Sequence, residues 1–308
     1  MRLITRADFD GLACGTILME LGIIDSWKFV HPKDLQDGKV EVTENDVLTN
    51  VPYVPGCGMW FDHHASELER VSEDITAEGV QYLADSCARI IYEYYDGESR
   101  LSHMEEMIKA VDKVDAAKLT VDEITNPHGW VLLGFIMDPR TGLGRNSNFT
   151  ISNWKLMEDL MECCRDYTID ELLMLPDVAQ RVEYYHQQST DFRKMILKYS
   201  RVEGDVIITD LRGVDTINSG NRFILYSLFP EQNISIWVVD GFAGATVSIA
   251  VGHSILNRTS SVDVGAIMLK HGGGGHKQVG TCQVPYEEAD TIVEELIKFF
   301  NEHDWNMG

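Results

Sequence analysis

Residues 60–64, Trp-Phe-Asp-His-His, place one acid and two imidazoles directly after an apolar pair. An apolar pair suits the last residues of a buried strand, and polar groups at such a position are costly to bury without a ligand. A single histidine is usually an ordinary hydrogen-bonded side chain, so the adjacent acid and second histidine are what favour function. We predict that Asp62, His63 and His64 lie at the carboxyl edge of a parallel sheet, where open α/β sheets bind ligands.

A second strand end of the same kind lies at the start of the chain. Residues 2–5 predict a short apolar strand, and Asp8 and Asp10 follow it, on one side if the backbone stays extended. Alone, Asp-x-Asp-Gly also occurs in turns and helix caps. Together with Asp62 and His63, the two carboxylates can converge on one divalent cation. Carboxylate oxygen combined with imidazole suits Mn²⁺ or Mg²⁺.

The pattern of apolar residues predicts two domains and a bridge. Strands and helices alternate through the first hundred residues, with helical spacing at 80–95 and 102–116, which is typical of a doubly wound, mainly parallel sheet. Val- and Ile-rich strands after residue 200 predict a smaller α+β domain with a mixed sheet. We therefore expect an α/β domain at 1–155, a helical linker at 156–200 and the second domain at 201–308.

The charge of the chain excludes one class of partner. The net charge is −23, and the chain is acidic both before and after residue 200. Proteins that grip long nucleic acid normally carry a basic surface, so we expect no long nucleic acid as a partner. The six cysteines show no zinc or disulfide spacing, no apolar run would span a membrane, and the first residues predict a strand rather than a signal peptide. We expect a cytoplasmic protein with reduced thiols that binds no membrane.

A glycine run near the end of the chain is the third notable stretch. Four glycines, bracketed by His271, His276 and Lys277, can turn several backbone N–H groups towards one anion, and the flanking side chains add donors. A flexible hinge is the alternative, although hinges are seldom bracketed by histidine on both sides. We predict a phosphate-binding loop formed by Gly272, Gly273, Gly274 and Gly275.

In order and layout, the three stretches resemble the DHH phosphoesterase family with an appended DHHA1 domain. The motifs are residues 8–11, Asp-x-Asp-Gly, residues 62–64, Asp-His-His, and residues 272–276, Gly-Gly-Gly-Gly-His. The family contains RecJ-type exonucleases, oligoribonuclease and phosphoadenosine phosphatases, cyclic-dinucleotide phosphodiesterases and exopolyphosphatase-like proteins. The resemblance implies hydrolysis of a phosphoester or phosphoanhydride bond, and we expect the substrate to be a short oligonucleotide, nucleotide or polyphosphate. Relatives often dimerise, so a homodimer is our expectation, although the sequence leaves the oligomeric state open. A metal-activated water in a cleft between the domains would carry out the reaction.

The resemblance also implies roles for single residues. It makes Asp8, Asp10, Asp62 and His63 metal ligands and places His64 close to the substrate phosphate, while Arg258 or Lys277 would help the glycine loop to hold the rest of the anion. A fourth family motif supplies one more aspartate. Residues 111–116 offer Asp112 and Asp115, of which we prefer Asp115, although an exposed helix face carrying charge is the plain alternative.

Two residues depart from the family pattern. Arg6 stands where many members have His or Asp, and Asn50 stands where an Asp bridges two metals. Asn50 can still supply an oxygen to the metal, but an amide adds no charge between two repelling cations, and a guanidinium does not bind metal. We therefore predict a single ion held mainly by Asp10, His63 and Asp115, with Arg6 as a catalytic phosphate clamp positioned by Asp8. The alternative is a degenerate member that only binds a nucleotide or polyphosphate as a regulator.

Overall fold

The computed structural model describes residues 1–64, 67, 75–241 and 244–303. They belong to two compact units. The first unit comprises residues 1–118 and 126–186, and the second comprises residues 119–125 and the chain from residue 187 onwards. The stretch predicted as a linker, residues 156–200, is helical almost throughout and contributes to both units.

A parallel sheet of four strands lies at the centre of the first unit. The strands are β1 (Arg2–Thr5), β2 (Ser26–Phe29), β3 (Asp46–Thr49) and β4 (Met59–Phe61). Their order across the sheet is β2-β1-β3-β4, and every neighbouring pair is parallel. The predicted α/β class is therefore confirmed. All four residues of β3 and all three of β4 are buried, as expected for strands covered by helices on both faces.

The register of the sheet makes three strands, β1, β3 and β4, end at the same level. Thr5 of β1 lies opposite Thr49 of β3, and Thr49 in turn lies opposite Phe61 of β4. The next residue of each strand therefore leaves the same edge of the sheet. Those residues are Arg6, Asn50 and Asp62.

Among the described residues, helices follow the strands along the chain. Along the chain they are α1 (Phe9–Glu20), α2 (Pro32–Gln36), α3 (Cys87–Tyr94), α4 (Gly97–Arg100), α5 (Glu105–Asp115), α6 (Val121–Thr125), α7 (Gly129–Met137), α8 (Asn153–Asp166), α9 (Ile169–Met174) and α10 (Pro176–Tyr199). Single 3-10 turns occupy Ser102–Met104, Pro139–Thr141 and Leu143–Arg145. Helix α6 belongs to the second unit, and α10 runs from the first unit into the second.

Helix α3 begins later than the apolar spacing predicted. The predicted helix covered residues 80–95, whereas the observed helix begins at Cys87. The side chain of Ser86 accepts a hydrogen bond from the backbone N–H of Arg89 at 3.0 Å and so caps the helix. The cap fixes the start of α3 at a position where its first N–H groups face the end of the parallel sheet.

The second unit contains a mixed sheet of six strands, as predicted. The strands are β5 (Ser200–Glu203), β6 (Val206–Asp210), β7 (Ile234–Asp240), β8 (Thr246–His253), β9 (Gly274–His276) and β10 (Val279–Pro285). Only β6 and β7 pair in parallel within the order β5-β6-β7-β8-β10-β9. The helices of this unit, besides α6 and the end of α10, are α11 (Ile224–Leu228), α12 (Val264–Lys270) and α13 (Ala289–His303). Among the described residues, no helix combines the length and the apolar character that crossing a bilayer requires.

Candidate metal centre

Three ionisable side chains meet beyond the carboxyl edge of the parallel sheet. Asp10 lies in the first turn of α1, His63 follows β4, and Asp115 is the last residue of α5. One potential ligand atom from each residue lies within 4.8 Å of the other two. His63 Nε2 lies 3.2 Å from an oxygen of Asp115 and 3.7 Å from an oxygen of Asp10. The structure thus brings together the three residues that the sequence favoured as ligands of a single ion.

The hydrogen bonds of His63 show which ring nitrogen faces the two acids. Its Nδ1 lies 3.3 Å from the carbonyl oxygen of Ala84, and because a carbonyl oxygen can only accept, Nδ1 carries the proton. In the neutral ring, Nε2 then presents a lone pair. This atom is buried and makes no hydrogen bond to any described residue. A lone pair that faces two carboxylates is the arrangement expected around a cation, so the three residues fit a divalent metal. The Ala84 carbonyl accepts from the other ring nitrogen, as is typical of a metal-bound histidine.

Asp10 is held by the start of α3. Its two oxygens accept hydrogen bonds from the backbone N–H groups of Cys87 at 3.0 Å and Ala88 at 2.8 Å. Burial, and then the nearby charge of Asp115, raises the pKa of Asp10 to about 7. Burial also raises the pKa of Asp115, against the opposing effect of His63. In the absence of a cation, the pair therefore retains a proton that a bound cation would displace.

Asp112, the other candidate for the fourth motif, has a different set of contacts. Its carboxylate pairs with the Arg89 guanidinium at 2.6 Å and accepts a hydrogen bond from the hydroxyl of Ser86 at 2.7 Å. Asp112 thus ties α5 to the beginning of α3. Asp115, one turn further along α5, is the acid that reaches His63.

Asp62 lies outside the ligand group and orients His64. Its two oxygens contact the backbone N–H of His64 at 3.1 Å and Nδ1 of the same residue at 2.9 Å, and the Asp62 side chain is fully buried. Burial acts to lower the pKa of His64, but the hydrogen bond and charge of Asp62 outweigh it, so this pKa is raised above its ordinary value. The geometry gives Asp62 a positioning role, and its predicted role as a direct ligand stays a prediction.

Asp8, Asn50 and Arg6 form a second group beside the ligands. Asp8 caps α1 by accepting from the Gly11 N–H at 2.9 Å, and it also accepts from Asn50 Nδ2 at 3.0 Å. Arg6 Nε lies 3.2 Å from the other oxygen of Asp8. Asn50 has a φ of 55°, and its buried Oδ1 has no hydrogen-bond partner among the described residues. That Asp8 and Asn50 contact the metal stays a prediction, as does the role of Arg6 as a clamp.

The glycine run does not form the open nest that the sequence predicted. The N–H groups of Gly272 and Gly273 donate to the carbonyls of Leu269 and Met268 at 3.1 and 2.9 Å, which ends α12. These two amides are therefore hydrogen-bonded within the fold, and substrate binding by Gly272 and Gly273 stays a prediction. The run continues as the edge strand β9. A Cβ at Gly273 would lie 2.0 Å from the Thr281 carbonyl oxygen, so close packing against β10 accounts for the small residue.

The side chains around this run have separate surroundings. Arg258 Nε donates to the carbonyl of Ile255 at 2.9 Å, while His276 and Lys277 are exposed at the edge of the six-stranded sheet. Gly274 and Gly275 lie in β9 opposite Thr281 and Gly280. Substrate binding by Arg258, His276, Lys277 and these two glycines stays a prediction.

The sequence analysis missed one acid and one base near the three ligands. Asp138 and Arg140 follow α7, and the charge of Arg140 acts on both Asp115 and Asp8. An indication was present in the sequence, because Asp138 follows a buried apolar run just as Asp62 does. The run at 131–137 is apolar on all sides, so it showed neither helical nor strand periodicity.

We compared the chain with known protein families, curated proteins and solved structures, and the similar solved structures agree with the two-unit fold described above. No protein-family model and no curated protein matches the sequence. Among solved structures, the chain is similar to a pGpG-specific phosphodiesterase, PggH from Vibrio cholerae, with 45% identity and a TM-score of 0.84 over 98% of this chain and 99% of that one. RecJ from Thermus thermophilus in complex with Mn²⁺ has 10% identity and a TM-score of 0.51 over 98% of this chain and 52% of that one, which shows a shared fold.

Proposed function

The chain belongs to the DHH phosphoesterase family, with an appended DHHA1 domain, and on that basis we propose that it hydrolyses short 5′-phosphorylated dinucleotides of the pGpG kind. The observation that carries the proposal is the 45% identity, over nearly the full length of both chains, to a phosphodiesterase specific for pGpG. An acidic chain suits a short substrate better than a long one, because a few local donors and a cation can hold two phosphates.

Asp10, His63 and Asp115 would hold the divalent cation, which we take to be Mn²⁺ or Mg²⁺. When bound, such an ion lowers the pKa of a water molecule and polarises the phosphoryl oxygen. The chain supports the ligands from behind, because the Cys87 and Ala88 amides orient Asp10 and the Ala84 carbonyl orients His63. These outer contacts would keep the ligands in place when the site is loaded.

The reaction adds one water to one phosphodiester bond. The water oxygen bonds to the bridging phosphorus, the bond from phosphorus to the 3′ oxygen breaks, and two 5′-mononucleotides result. The leaving 3′ oxygen must gain a proton. His64 is suited to supply it, because Asp62 holds Nδ1 and favours the protonated ring, so that Nε2 would act on the substrate. Arg6, next to Asp8, would bind the phosphate oxygens.

The replacement of two family ligands by Arg6 and Asn50 had left a purely binding protein as an alternative. The whole-chain similarity to an enzyme gives that alternative no support. The geometry offers no reason to prefer it either, since three ligands suffice for one catalytic ion with open coordination positions.

A product assay tests the proposal. We expect the purified protein in Mn²⁺ buffer to convert pGpG into GMP, and Asp10→Asn and His63→Gln each to lower kcat/KM at least about 100-fold. Lys155→Gln is the matched control, because Lys155 is an exposed cation paired with Asp159 on its own helix. Undiminished turnover by Asp10→Asn would refute the metal assignment. Hydrolysis of polyphosphate but not of pGpG would refute the substrate class.

A further inference from the structure

We propose that Arg140 binds the phosphate of the substrate and thereby sets the affinity of the site for phosphorylated ligands. The inference rests on the proposed function, because the ligand is the phosphate group of that substrate. Three features of the described residues support it: where Arg140 lies, how its guanidinium is held, and how the charges of the site balance.

The packing of α7 places Arg140 beside the metal ligands. Gly134 lies so close to α1 and α5 that a Cβ at this position would stand 2.8 Å from Phe9 Cδ1 and 3.2 Å from Val114 Cγ2. Phe9 separates Asp8 from Asp10, and Val114 precedes Asp115. Helix α7 ends three residues after Gly134, and Arg140 follows in the next turn. Its charge acts on both Asp115 and Asp8.

The carboxylate of Asp138 contacts one side of the Arg140 guanidinium. Arg140 Nε lies 2.8 and 3.1 Å from the two oxygens of Asp138, and the Arg140 backbone N–H donates to the same carboxylate at 2.8 Å. The Asp138 side chain is 7% exposed, whereas that of Arg140 is 54% exposed. The terminal Nη1 and Nη2 groups make no hydrogen bond to any described residue. The buried acid thus orients a guanidinium whose two terminal donors remain for a ligand.

The charges of the described residues favour a cation at this position. The carboxylates of Asp8, Asp10, Asp115 and Asp138 carry four negative charges, which one divalent ion together with Arg6 and Arg140 would balance. Without Arg140, this group of described side chains would carry more negative charge and attract a phosphate oxygen less. A guanidinium can neutralise the site and also offer two parallel N–H groups to phosphate, which an ammonium group cannot do in the same geometry.

The inference makes opposite predictions for two ligands of the same variant. In Arg140→Gln, the affinity for GMP in the presence of Mn²⁺ should fall at least about tenfold, because a charged hydrogen bond to phosphate is lost. The affinity for Mn²⁺ alone should stay equal or rise, because a positive charge near Asp115 and Asp8 is removed. Arg140→Lys should show an intermediate affinity for GMP, and the KM for pGpG should rise more than kcat falls.

Isothermal titration of Mn²⁺ and of GMP into wild type, both variants and the Lys155→Gln control provides the test, with the melting temperature measured for each. Unchanged GMP affinity in Arg140→Gln overturns the inference, and so does a parallel loss of GMP and Mn²⁺ affinity, which indicates a structural role. If Arg140→Gln does not fold, Arg140→Lys decides on the same criteria. Absence of pGpG turnover by the wild type would instead refute the proposed function, whatever the variants bind.

Discussion

At the scale of single residues, two ligands of the proposed metal, Asp10 and His63, are held by second contacts that the sequence does not predict. That Asp10 and His63 lie close together was predictable, because both follow strands that end at the same edge of a parallel sheet. The choice between Asp112 and Asp115 was not predictable. The two residues lie three positions apart on one helix face, and what separates them is Arg89, which is distant in sequence and pairs with Asp112.

These contacts predict different outcomes for two similar variants. Asp115→Asn should lower the affinity for Mn²⁺ at least about tenfold with little change in the stability of the metal-free protein. Asp112→Asn should leave Mn²⁺ affinity within about twofold but destabilise the fold by about 1–3 kcal/mol, because Arg89 loses its charged partner. Titration calorimetry and urea denaturation of both variants separate the two effects. The reverse pattern would show that Asp112 is the ligand.

The raised pKa of Asp10 predicts how metal binding depends on pH. In the metal-free protein this pKa is about 7, above the unfolded value near 3.8, so the folded state retains a proton that the unfolded state loses. The resulting stability is present at low pH and is lost as the pH rises through 7. Because Mn²⁺ displaces this proton, its affinity should rise by about tenfold per pH unit below 7 and level off above. Calorimetry at pH 5.5, 6.5 and 8 measures this, and an affinity independent of pH would contradict it.

At the scale of secondary-structure elements, the alternation of strands and helices predicted the parallel sheet, and β1 begins and ends at the predicted residues, 2 and 5. Elements without periodicity were not predictable. Helix α7 is apolar on all sides, and β9 consists of Gly-Gly-His at a sheet edge. The glycine run was expected to bind an anion, whereas the end of α12 and tight packing against β10 account for its first two residues.

Two substitutions in the glycine run distinguish packing from binding. Gly273→Ala should destabilise the second unit by several kcal/mol, because its Cβ would meet the Thr281 carbonyl and the Cα of Cys282, neither of which can move freely. Gly274→Ala has open space within 4 Å and should leave the melting temperature nearly unchanged. If Gly274→Ala nevertheless raises the KM for pGpG without a change in stability, the predicted anion-binding role survives in the second half of the run.

At the scale of the whole molecule, the net charge indicates which substrates the protein can bind but does not identify the residues of the site. A net charge of −23 gives no attraction for a long phosphate backbone. We expect no detectable binding of a fluorescent 30-nucleotide DNA by anisotropy at physiological salt, under conditions in which pGpG is hydrolysed. Tight binding of the long strand, with a steep dependence on salt, would place the protein among the nucleases instead.

The central claim is that Asp10, His63 and Asp115 bind one divalent cation. An anomalous difference map from crystals grown with Mn²⁺ tests it most directly. We predict one peak per chain, within about 2.0–2.3 Å of His63 Nε2 and of one oxygen from each aspartate. Two fully occupied peaks, or a peak that none of these three side chains contacts, would contradict the account.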